Sequence, residues 1–240
     1  MPQSPRYNVV LASGLACTTG LGWIVGSWIE AGAAYPLVAA AFFAVLFTAV
    51  VRVAGARHPH ARFGPANHVT TIRAMLAALA AGLVGHAASP AVLWAVIGVT
   101  GLIAALDGLD GWLARFTRMA SAYGARFDME TDAAFILVLS ALVWQHEKAG
   151  AWVLCCGLMR YAFVAAGWMR PWLAAPLRPT RRGRIVAICQ LLGLGLALAP
   201  IVPWPASAAV AGVTLAVLGW SFAVDVAWLW RQSVGRRVRL

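Results

Sequence analysis

Apolar residues run along this chain in blocks of about twenty, the length of helix that crosses a hydrocarbon core about 30 Å thick. Val9 to Ile29 carries no charge, and Ala31 to Val51 carries none either. The next uncharged block, Ala74 to Leu106, is too short for two full crossings, so both of its helices must reach beyond it. The third span is therefore placed at about Val69 to Ala87, with Arg73 near its start and a turn at Ala88-Ser89-Pro90. A fourth span runs from Ala91 into a charged segment, and a fifth leaves that segment over roughly Gly124 to Gln145. Spans at Ala151 to Met169, Ile185 to Val202 and Ala206 to Trp230 complete the pattern. The prediction is an all-α polytopic membrane protein with about eight transmembrane helices.

Composition agrees, since the 240 residues are 62% hydrophobic and 11% charged, with a mean hydropathy of +0.78. Lys and Arg collect on one side of an eight-span layout: Arg6, Arg52, Arg57, Arg62, Arg115, Arg118, Arg126, the loop from Arg170 to Arg184 and the tail. The other side holds Lys148, Glu30 and Glu147. This asymmetry predicts an integral protein of a bacterial inner (cytoplasmic) membrane with both termini on the cytoplasmic side. The net charge of +11 sits at helix ends, which points to anionic lipid as its counterpart and not to nucleic acid. The first span is long for a signal peptide and is read as retained. Cys17, Cys155, Cys156 and Cys189 lie in apolar spans without ligand spacing and are read as packing residues. His58 and His60 are read as incidental loop residues, Asp225 as a solvated interfacial acid, and the tryptophans at span ends as an interfacial belt.

One segment breaks the pattern. "DGLDGWLARFTRMASAYGARFDMETD", residues 107–132, holds five of the eight acidic residues. At about 100° per residue, Asp107, Asp110, Gly111 and Ala114 share a helix face, while Gly124, Asp128 and Asp132 share a face of the next helix. A reversal between Arg118 and Tyr123 makes the two helices antiparallel and brings Asp110 level with Asp128. Four carboxylates converging just inside the bilayer surface suit Mg²⁺ or Mn²⁺, two ions in the arrangement used for phosphoryl displacement. Gly108 and Gly111 let a substrate approach the backbone, and Arg115 is placed to hold a phosphate oxygen.

The run Asp107-x-x-Asp110-Gly111-x-x-Ala114-Arg115, eight residues, Gly124-x-x-x-Asp128-x-x-x-Asp132 resembles the signature of the CDP-alcohol phosphotransferase (CDP-alcohol phosphatidyltransferase) family. "NHVTTIR", Asn67 to Arg73, resembles the Asn-x-x-Thr-x-x-Arg run that opens the family's first core helix. The resemblance implies a six-helix core within 63–240, preceded by a two-helix membrane segment, 1–62. It also implies transfer of a phosphoalcohol group, commonly phosphatidyl from CDP-diacylglycerol, to an acceptor hydroxyl with release of CMP. Asp107, Asp110 and Asp128 would bind the metal pair, with Asp132 at the metal site as general base. Gly111, Ala114, Arg115 and Gly124 would line the CDP pocket, joined by Asn67 and Thr70 from the first core helix. A homodimer is likewise implied.

The acceptor side is read from Arg118, Arg160 and Arg184, basic groups suited to an acceptor bearing its own phosphate. A lone Arg160 deep in a span must meet an acid or an anionic ligand. "RRGRIVAICQ" resembles the family's Gly-Lys stretch, with Arg184 where a lysine is usual. Two other functions fit an intramembrane acidic cluster: an aspartate-rich prenyltransferase, which typically carries two separated motifs, and a cation transporter using the carboxylates as its ion site.

Overall fold

The computed structural model describes residues 7–54, 63–175, 177 and 180–237. His58 and His60, together with Arg6, Arg57, Arg62 and Arg178 of the basic segments, lie outside them. The described residues form eight α-helices and no strand: α1 Tyr7–Trp28, α2 Ala34–Ala54, α3 Pro65–Ala81, α4 Pro90–Phe116, α5 Ala122–Gln145, α6 Cys155–Met169, α7 Arg181–Leu198 and α8 Ala206–Arg237. A 3₁₀ turn, Ala151–Leu154, leads into α6.

Local chemistry explains where most helices begin. Pro65 and Pro90 occupy first-turn positions, where a missing N–H is no loss. Ser89, Ser121 and Thr180 are N-caps whose hydroxyls accept from Val92, Gly124 and Gly183 N–H. The Thr180 cap starts α7 at Arg181, four residues before the apolar block, so the arginines form its first turn. At the other extreme, α3 stops at Ala81 and not near Ala87. The Gln145 side chain ties down the turn that follows, accepting from Gly85 N–H (2.6 Å) and donating to Leu83 O (3.3 Å) and His86 O (2.6 Å). A contact from α5 thus ends α3 earlier than its own hydrophobicity suggests.

Five stretches are long and apolar enough to cross a membrane: α1, Ala34–Val53 of α2, α4, Ala151–Met169 and Ala206–Val234 of α8. The remaining helices, α3, α5 and α7, carry Arg73, the acids Asp128, Glu130 and Asp132, and three arginines, respectively. These three lie at the centre of the bundle. Helix α5 packs against α2, α3, α6 and α7, while α4 bridges α3 and α7 and α8 covers α7. A helix enclosed by protein can carry polar groups, because neighbouring helices and not lipid satisfy them.

The two N-terminal helices form a hairpin laid against α3 and α5. Along α1, the buried positions are Val10, Gly14, Thr18, Gly22 and Gly26, a ridge with a strict four-residue period. A Cβ on Gly14 would strike the ring of Phe43, and one on Gly22 would come within 3.0 Å of Pro36. Small side chains therefore let the backbones meet, as helices do when lipid gives them no hydrophobic drive to associate. Below the hairpin, Tyr7, Phe47, Phe63, Tyr123 and Phe127 form an aromatic cluster beside the start of α5. Among the cysteines, Cys156 alone is buried; Cys17, Cys155 and Cys189 are exposed on outer helix faces, where the packing reading does not hold.

Candidate active site

The reversal between α4 and α5 is short and fully bonded. Arg118 adopts a left-handed conformation (φ 54°), and its N–H donates to Arg115 O while Met119 N–H donates to Ala114 O. This is the Schellman ending, here with arginine where glycine is usual. Ser121 then caps α5. Beyond this turn the two helices pack on α3 and α7 and not on each other's length, and the aspartates meet beside α3: Asp107, Asp110 and Asp128 each offer an oxygen, all within 4.8 Å of one another.

The third wall is α3. Arg73 is fully buried and its guanidinium contacts four carboxylates. Nη1 donates to Asp110 Oδ2 and Asp128 Oδ1, 2.5 Å each, while Nη2 donates to Asp132 Oδ1 and lies 3.1 Å from Asp107 Oδ1. Its Nε is buried with no hydrogen-bond partner. Burial follows the same order, with Asp110 and Arg73 deep inside and the Asp128 carboxylate the most open at 37%.

Asn67, Thr70 and Arg73 are spaced by three residues and share the inward face of α3. The Thr70 hydroxyl is placed between Asp110 Oδ2 and Ala66 O, 3.1 Å from each. Asn67 donates to Phe63 O and its Oδ1 lies against Gly124, where a Cβ would come within 2.8 Å. Gly124 is therefore required by the approach of α3 to α5. Asn67 and Thr70 are both buried between helices and do not face an open cavity. On α4, by contrast, Gly108 has open space at its Cβ position, and the Arg115 side chain folds back so that a Cβ on Gly111 would lie 3.5 Å from Nη1. Ala114 is half-buried beside them.

The basic residues separate into two kinds. Arg118 and Arg184 are exposed and make no ion pair among the described residues. Arg160 grips Glu130 through Nε (3.3 Å) and Nη2 (2.6 Å), and Arg126 reaches the same carboxylate at 2.7 Å. The acid required by Arg160 is thus Glu130, which lies two residues from Asp128 and so faces the opposite side of α5. Asp225, expected to be solvated, instead pairs with Arg182 of α7, whose guanidinium also lies 5.8 Å from the Trp220 ring centroid.

Arg73 and Glu130 were not among the site residues expected from sequence. The signal for Arg73 was the argument applied to Arg160: a lone charge inside an apolar span needs a partner. A family model described as CDP-alcohol phosphatidyltransferase matches residues 63–224, more than half of the chain. The chain belongs to the CDP-alcohol phosphatidyltransferase family. No curated protein and no solved structure matches it. Membership makes the chain a transferase whose family moves a phosphoalcohol group from a CDP-alcohol, and all the residues gathered around Arg73 fall inside the matched stretch. In this family context the aspartate trio is a candidate site for a divalent cation.

Proposed function

We propose that this CDP-alcohol phosphatidyltransferase transfers a phosphatidyl group from CDP-diacylglycerol to an acceptor alcohol that carries its own phosphate, releasing CMP. The observation that carries the reading is the meeting of Asp107, Asp110, Asp128 and Asp132 around Arg73, beside an α4 face that is open at Gly108 and has the Arg115 side chain over Gly111. In this reading all eight helices span an inner membrane, and the aspartate end and both termini face the cytoplasm. The basic bias of that end supports this orientation. Residues 1–62 are a two-helix addition to a six-helix core within 63–240, and the active unit is a homodimer.

The donor set fits a hard divalent cation, since the trio offers only carboxylate oxygens and the Asp128 carboxylate is partly exposed. Asp107, Asp110 and Asp128 would hold Mg²⁺ or Mn²⁺, with Asp132 completing a two-ion site. Bound there, the ions would neutralise the diphosphate and make CMP a better leaving group. The remaining work belongs to the chain. Gly108, Gly111 and Ala114 leave room for the cytidine diphosphate, while Gly124 admits Asn67 at the α3–α5 contact and Thr70 fixes Asp110. Arg115 holds a phosphate oxygen. Asp132 takes the acceptor hydroxyl proton as that oxygen forms its bond to the β-phosphorus and the bond from phosphorus to the CMP oxygen breaks. Arg118 and Arg184 bind the acceptor's phosphate, and Arg160 acts behind them through Glu130.

The test uses the purified full-length chain in detergent with CDP-diacylglycerol, Mg²⁺ and phosphorylated and plain alcohols, scored for CMP. CMP should form with glycerol 3-phosphate or an inositol phosphate and vanish in Asp128→Asn. Activity that survives Asp128→Asn would show the site to be misassigned. Ion flux in vesicles without CMP release would favour a transporter.

A further inference from the structure

We infer that Arg73 is a built-in counter-cation that competes with divalent ions for the aspartates, so that it sets how tightly they bind. The inference rests on the reading of these aspartates as ion ligands. It concerns Arg73 as a positioning residue, acting through the carboxylates and not on substrate.

Four features of the geometry support it. First, a guanidinium suited to one or two carboxylates is shared among four, each Nη serving two, while the buried Nε serves none. An arginine selected only as a structural ion pair would use its fork on matched partners, as Arg160 does with Glu130. Second, one positive charge faces four acids, a shortfall of the size that divalent cations supply. Third, the oxygens of the trio all lie within 4.8 Å of one another, close enough to share an ion. The guanidinium contacts all three of these acids and so takes up the charge an ion would meet. Fourth, the acids come from α4 and α5, which are joined by a capped turn and held by their shared packing on α3 and α7. The Arg73 side chain can therefore release carboxylate oxygens while that helix packing stays in place. The arrangement keeps the cluster together while no ion is bound, at the expense of ion affinity.

The experiment compares wild type, Arg73→Gln, Arg73→Lys and Asp128→Asn as full-length protein in detergent. It measures Mn²⁺ binding by the loss of the free-ion resonance and the thermal midpoint with chelator or with Mn²⁺. Arg73→Gln is expected to lower the midpoint in chelator by on the order of 10 °C, since it strands buried charges. It should nonetheless bind Mn²⁺ about tenfold or more tightly than wild type and regain more midpoint on adding the ion. A merely structural arginine predicts the opposite change in affinity. Arg73→Lys, whose ammonium cannot span four acids, should bind with intermediate affinity, and it decides the matter if Arg73→Gln does not fold. Mn²⁺ binding to wild type that is unchanged or weakened in both arginine variants overturns the inference while leaving the ion site intact. Wild type that binds no Mn²⁺, indistinguishable from Asp128→Asn, removes the ion site itself and the inference with it.

Discussion

The two ends of the bundle handle polar groups in opposite ways. At the end away from the aspartates, amide, ammonium and hydroxyl groups find backbone partners, while His86 Nδ1 and His146 Nε2 are buried without one among the described residues. Gln145 satisfies three backbone groups of the α3–α4 turn, Lys148 Nζ donates to Ala199 O (2.9 Å) and Val202 O (2.8 Å), and the Ser207 hydroxyl donates to Lys148 O (2.6 Å). Tyr35 likewise donates to Leu79 O. At the aspartate end four acids share one guanidinium. One end is organised for stability. The other concentrates like charges that repel until further cations arrive, the kind of local conflict that proteins keep at functional sites.

Substitutions can break this contrast, and the largest effect is expected from Asp132→Asn. Its turnover should fall by roughly 10²–10⁴-fold, the range for loss of a general base. Its thermal midpoint in chelator should stay level or rise, because one of four repelling acids is neutralised. A marked fall would mean that the pairing of Asp132 with Arg73 outweighs its repulsion by the other acids and would dissolve the contrast. Gly124→Val drives a side chain into Asn67, and should cost about 1–3 kcal/mol of stability while also depressing turnover, since it separates α3 from α5. At the opposite end, Lys148→Met removes bonds to two carbonyls, of which Ala199 O keeps the Val202 N–H, and should cost about 1–2 kcal/mol, seen as a lower denaturation midpoint with donor KM unchanged. A shift in KM there would show that the ends are coupled.

Smaller effects sharpen the comparison. Arg118→Gly relieves the left-handed backbone and should stabilise by about 0.5–1 kcal/mol, yet raise KM for a phosphorylated acceptor and not for CDP-diacylglycerol. The least effect belongs to His146, at the cap of α5, where burial and then the Lys148 ammonium hold the imidazole below its ordinary value. Above about pH 6.5 the ring is neutral in folded and unfolded chains alike. As pH falls below that, the unfolded chain takes the proton first, so stability declines with acidification. In His146→Gln the midpoint should fall less between about pH 7 and pH 5.

The contrast also marks what could be read in advance. Helices α1, α2, α4, α6 and α8 are visible as apolar blocks, because lipid imposes length and composition on whatever faces it. That Asp110 and Asp128 come level was legible too, since helical periodicity and a tight reversal fix their heights within 26 residues, whereas the packing that brings them together runs through α3 and α7. Arg73 was not, because it precedes Asp110 by 37 positions and no periodicity links α3 to α4 and α5. The same holds for Gln145, which ends α3 from a distance of about sixty residues.

By itself, then, the amino-acid order determined the solvent, the helical class and the two facing rows of acids, all consequences of short-range spacing and of lipid's intolerance of exposed polar backbone. Tertiary structure alone decided that α3, α5 and α7 occupy the centre, that Glu130 answers Arg160, and that one guanidinium stands among the four carboxylates. Those outcomes depend on which buried charges come within a few ångströms of each other once helices distant in the chain pack together, and charge pairing of that kind leaves no local pattern along the chain.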